Sequence, residues 1–128
     1  MPRTISRLVG ATLAAAALGS TLACSAIGAD NTEACDNIKK EVRSFTAESV
    51  KNVGDTKALS QSYHDLADKV RSEGEKGDGD LQDATSDLGD AYDKLGDTVA
   101  NLENNPDPTA IDQQAVTEAG TKFEKACE

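Results

Sequence analysis

The stretch "LQDATSDLGDAYDKLGDTVANLEN", residues 81–104, decides the fold. Leu81, Leu88, Leu95 and Leu102 recur every seventh residue, and Ala84, Ala91 and Thr98 fill the intermediate positions, with Tyr92 and Val99 beside them. A strand would alternate apolar and polar residues. A seven-residue stripe instead predicts an amphipathic helix that packs on neighbouring helices at a shallow angle.

Working outward, three more segments carry apolar residues at helical spacing. Ile38, Val42, Phe45 and Val50 share one face of a first helix, and Leu59, Tyr63, Leu66 and Val70 share one face of a second. Ile111, Ala115, Ala119 and Phe123, with Val116 on the flank, mark a fourth. Gly54 is expected to end the first helix and Asp55 to cap the second. The glycines of "GEKGDGD", 74–80, mark a loop. Pro108 suits the first turn of the last helix, with Asp107 or Thr109 as its cap and Thr109 with Asp112 as a capping box. The expected fold is all-α: a small up-down-up-down four-helix bundle.

The front of the chain reads differently. Arg3 and Arg7 precede "LVGATLAAAALGSTLA", Leu8–Ala23, which holds no charged residue. A basic head, a short apolar run and small residues before a cut site are the parts of a secretory signal. The run is too short and too rich in alanine for a membrane span, which takes about 20 apolar residues. "TLAC", Thr21–Cys24, resembles the lipobox of bacterial lipoproteins. That resemblance implies cleavage after Ala23 and attachment of a diacylglycerol to the Cys24 thiol, with acyl chains such as palmitate. The alternative is ordinary secretion, with cleavage after Ala23 or Ala29. The expected organisation is therefore a signal peptide over 1–23, a lipidated tether over 24–32 and a helical domain over 33–128.

The chain has three cysteines. If Cys24 carries lipid, Cys35 and Cys127 remain as an even pair, which in an exported protein reads as a disulfide. Cys35 is expected to open the first helix and Cys127 to close the last. A helix of 20 residues is about 30 Å long, whereas a disulfide needs Cα atoms within about 7 Å. Four helices bring those ends together and three would not, so the pairing and the helix count support each other. The bridge is also expected to matter for stability, because a core with two Phe, two Tyr and no Trp is thin.

Cleavage after Ala23 removes two of the 13 basic residues and none of the 23 acidic ones, leaving a net charge of −12 on 105 residues. Such a surface repels nucleic acid and anionic headgroups, so no nucleic-acid partner is expected and the membrane is held through lipid. Asp83, Asp87, Asp90 and Asp97 form a stripe on the third helix. It reads either as a docking face for a basic partner or as a solvated face. Gly89 and Gly96, seven apart and each after a core leucine, mark either a groove for an outside helix or ligand, or close packing by a neighbour in the same bundle; the second is favoured.

Chemistry is sparse. Tyr and His together are able to ligate haem iron, but neighbouring residues on a helix point about 100° apart, so Tyr63 and the single histidine, His64, read as a core tyrosine and a surface histidine. The acids Glu73, Glu75, Asp78, Asp80 and Asp83 miss the calcium-loop pattern: counting from Asp78, the sixth residue is Asp83 where glycine is required, and the twelfth is Gly89 where glutamate is required. No metal site, cofactor or catalytic constellation is expected, and the chain is not expected to be an enzyme.

As a whole, the Arg-bearing, alanine-rich signal, the cysteine after it and the polar helical body with a cysteine pair resemble the small lipoproteins and small secreted proteins of actinobacteria. The resemblance implies a place on the outer face of the cytoplasmic membrane and no particular activity. The expected function is a lipid-anchored, non-catalytic binding or scaffold module contacting an envelope protein or wall component. The alternatives are a carrier of a small ligand, with room left by Ala84, Ala91 and Ala115, and a freely secreted helical protein.

Overall fold

A computed structural model describes residues 29–104 and 111–128. It holds four helices: α1 (Ala29–Ser49), α2 (Thr56–Gly74), α3 (Gly79–Asn101) and α4 (Gln113–Ala126). Each packs chiefly on its neighbour in sequence, α1 on α2, α2 on α3 and α3 on α4. The circuit is closed covalently by a disulfide between Cys35 and Cys127, whose Cα atoms lie 6.0 Å apart across 92 residues of sequence. The expected four-helix bundle with joined ends is the fold.

The heptad stripe of α3 forms its centre. Leu81, Ala84, Leu88, Ala91 and Tyr92 are buried, and meet Ile38 and Val42 of α1, Leu66, Ala67 and Val70 of α2, and Ala119 and Phe123 of α4 in one cluster. Thr85, almost fully buried, is the polar intruder. Its hydroxyl donates to the Leu81 carbonyl at 2.8 Å, so its burial leaves nothing unpaired. Tyr63 lies between Phe45, at 4.7 Å between ring centroids, and Tyr92, at 6.4 Å.

Aspartates start three helices. Asp55 accepts from the Ala58 amide at 2.9 Å, Asp78 from Leu81 at 3.0 Å and Asp112 from Ala115 at 3.0 Å. Each satisfies one of the amides a helix start leaves without an internal partner. Asp55 caps where expected. Asp112 replaces the expected cap at Asp107 or Thr109, two residues that, with Pro108, lie outside the described residues. Consequently Ile111 precedes α4, and Val116, Ala119 and Phe123 form its buried face, where Val116 was expected on the flank.

Two further expectations are corrected around α1. The helix begins at Ala29, so it runs back over the end of the segment expected as a tether, and Cys35 sits within the helix instead of opening it. The reason is Asn31. Its buried amide donates to Asp78 at 2.7 Å, and its carbonyl accepts the Asp78 backbone N–H at 2.9 Å, tying this first turn to the start of α3. At the other end α1 stops at Ser49, before the expected Gly54. Tight i to i+3 bonds, Lys51 to Glu48 at 3.0 Å and Asn52 to Ser49 at 3.1 Å, turn the chain away. Val50 is therefore 63% exposed instead of lying on the core face, and Val53 is 70% exposed.

Candidate functional site

The polar side chains concentrate on the seam between α2 and α3, and two glycines explain how they fit. A Cβ on Gly89 would lie 2.7 Å from Arg71 Nε, and one on Gly96 would lie 2.9 Å from His64 Nε2 and 3.0 Å from the Ser60 carbonyl oxygen. Both approaches are tighter than a side chain on α3 allows. Ser60 uses the proximity, its hydroxyl donating to the Gly96 carbonyl at 2.7 Å. The glycine pair thus seats side chains of the neighbouring helix in the same bundle, the favoured expectation. Arg71 and His64 are seven apart, as are Gly89 and Gly96, and they meet in antiparallel order.

Each seated side chain meets aspartates of α3. Arg71 Nη2 lies 2.7 Å from Asp90 Oδ1 and 2.6 Å from Asp93 Oδ2, with Asp68 of its own helix 3.7 Å from Nη1. His64 Nδ1 lies 2.8 Å from Asp93 Oδ1, and its Nε2 lies 3.3 Å from Asp97 Oδ1. Asp93 is the shared member. Partial burial works against its charge, but the bonds from His64 and Arg71 more than offset this and hold its carboxyl below the usual range. The same balance holds for Arg71, whose burial is outweighed by its bonds to Asp90 and Asp93. The hydrogen bond to Asp93 raises the His64 imidazole above its ordinary value, aided by the fields of Asp93, Asp97 and Asp68. Nearby, burial pushes the Tyr92 phenol up to about 12, so it remains a neutral core group.

This arrangement bears on the acidic stripe. Asp90 faces Arg71 and Asp97 faces His64, both on α2, while Asp87 is held by Lys122 of α4 at 2.5 Å. Asp83 is exposed and adds to the field at Lys122. Three of the four acids are thus engaged across two different seams. Asp93 carries more of the cross-helix bonding than any of them. The sequence signal for this seam is the repeated Leu-Gly-Asp at 88–90 and 95–97, matched by His64 and Arg71 seven apart.

Between α3 and the start of α4 lies a groove of about 280 Å³. Ala91, Leu95 and Ala115 form its apolar part, and Lys94, Asp97 and Asp112 supply charge. Ala91 and Ala115, two of the three alanines expected to leave room, border it, whereas Ala84 does not. The acids around the 74–80 loop serve as connections: Glu73 accepts from Lys76 at 2.7 Å and from Asn37 at 3.1 Å, and Asp78 caps α3. Among the described residues, no group of three or more His, Cys, Asp or Glu is placed to hold a metal ion, and no helix is long and apolar enough to cross a membrane. Cys24 lies outside the described residues. The chain matches no protein-family model, no curated protein and no solved structure.

Proposed function

We propose that this chain is a lipid-anchored, non-catalytic module of the cell envelope that works by contact with another envelope protein or a wall component. The observation that carries this reading is the pairing of Cys35 with Cys127. A disulfide spanning nearly the whole domain belongs to a protein made for an oxidising compartment. It also leaves Cys24 as the odd cysteine, directly after an uncharged run and at the end of "TLAC". Lipidation of Cys24 accounts for all three cysteines at once.

Geometry adds an orientation. The anchor lies just ahead of α1, whose 21 residues extend about 30 Å. The turn carrying exposed Val50 and Val53 is then the end farthest from the membrane. The test is fractionation of the native host. The chain is expected in the membrane pellet, released by detergent but not by high salt, and Cys24→Ser is expected to move it to the soluble fraction or the medium. Wild-type chain free in the medium would favour the secreted alternative. The groove between α3 and α4 favours a second reading, a small-ligand carrier, which native mass spectrometry of protein purified from its host would reveal as bound mass.

A further inference from the structure

We infer that His64 is a pH-sensitive clasp between α2 and α3. A neutral imidazole has one N–H and one lone pair. In this seam both ring nitrogens face carboxylate oxygens, Nδ1 toward Asp93 at 2.8 Å and Nε2 toward Asp97 at 3.3 Å. Only the imidazolium carries a proton toward both, hydrogen-bonded to Asp93 and ion-paired with Asp97. With the neutral ring, one nitrogen directs a lone pair at a carboxylate, and one of the two attachments to α3 is lost. Gly96 makes the position possible, since any side chain there would displace the ring or the Ser60 backbone.

The surrounding charges favour the closed state. From α3 the ring faces Asp93 and Asp97, and on its own helix the nearby acid is Asp68. Arg71 reaches the same Asp93 from the side. From α1, Glu41 reaches α2 and is taken by Lys69 at 3.0 Å, with Glu48 adding to the field at the same lysine. The neighbouring turn of the seam, Arg71 with Asp90 and Asp93, keeps its charge at every physiological pH, because arginine does not deprotonate there. One half of the seam is therefore permanent and the other is switched by a single proton. Asp97 is the residue released, and it also borders the groove between α3 and α4, so deprotonation of His64 leaves that groove more negative.

The sign follows from the raised value. The clasp is complete below the unfolded-chain value near 6.5 and is lost as pH rises through the higher folded-state value. An exported protein would meet this range without cytoplasmic buffering. That consequence rests on the envelope reading, whereas the clasp does not.

The test uses the disulfide-intact protein and follows both ring nitrogens of the single histidine by NMR across pH. The midpoint is expected above that of the same chain in concentrated urea, lowered by Asp97→Asn and lowered further by Asp93→Asn. Between pH 5.5 and pH 8 the melting temperature is expected to fall by about 2–4 °C in the wild type, the scale of one partly exposed ion pair in a domain of this size. His64→Gln is expected to remove that fall. A midpoint at or below the urea value, a midpoint unmoved by Asp97→Asn, or an undiminished fall in His64→Gln would each overturn the clasp. Should Asp93→Asn not fold, the wild-type titration and Asp97→Asn decide the question on their own.

Discussion

The seam between α2 and α3 and the junction between α1 and α4 hold the same bundle by opposite means. The first is specified residue by residue. Glycines at 89 and 96 admit Arg71 and His64, aspartates receive them, and Ser60 bonds the opposing backbone. The second depends on one covalent bond, Cys35–Cys127, between helices that otherwise pack chiefly on their other neighbours. A seam of packing and ion pairs forms in any compartment. A junction that relies on a disulfide forms where thiols oxidise, so the weaker junction is consistent with an extracytoplasmic location.

The contrast breaks most visibly at the bridge. Opening a loop of this length is expected to cost about 4 kcal/mol on the chain-entropy account. Cys35→Ser with Cys127→Ser, or reduction of the wild type, is expected to lower the melting temperature more than any single substitution in the seam between α2 and α3. A melting curve indifferent to reductant would mean that α1 and α4 hold each other without it.

Next come the places where helices approach most closely. A Cβ on Gly74 would lie 1.8 Å from Thr85 Oγ1, and Thr85 is itself buried and bonded to Leu81. Gly74→Ala is expected to destabilise by about 1–3 kcal/mol through overpacking. Gly120, inside α4 with nothing within 4 Å of its missing Cβ, makes the paired control. There alanine is expected to stabilise, by up to about 1 kcal/mol, through helix propensity alone. Chemical denaturation of the two variants side by side checks both signs.

The two Leu-Gly-Asp units are expected to respond unequally. At Gly89 the atoms nearest an added methyl all belong to the Arg71 side chain, which is able to swing aside at the cost of its bonds; at Gly96 they belong to His64 and the Ser60 backbone. Gly96→Ala should therefore be more destabilising than Gly89→Ala, since backbone does not yield as a long side chain does. Equal effects in denaturation would show that α2 shifts as a unit. Smaller still is the loss of His64 protonation, read from the pH dependence of melting.

Much of the architecture is legible in the sequence because periodicity and covalent arithmetic are local signals. The leucine stripe of 81–102 locates α3, Asp55 announces the start of α2, and the cysteine count joins the ends. What is not legible requires knowing which helix faces which. The glycines indicate close packing, but their partners follow only from the antiparallel register of α2 on α3. The acidic stripe reads as continuous along α3, yet it divides between cations of α2 and α4. The early start of α1 is hidden for a similar reason: Asn31 carries no apolar signal, and its partner Asp78 is 47 residues away. Val50 fits the helical spacing but falls just beyond Ser49, where the turn bonds take over.

On the proposed reading, bridge and anchor together account for all three cysteines, and one measurement tests both. It is the intact mass of the mature chain from its native host, unreduced and then reduced. The expected result is a chain beginning at Cys24, carrying added acyl mass and gaining two hydrogens on reduction. A lipid-free chain starting beyond Cys24, or one whose mass does not change on reduction, would contradict it.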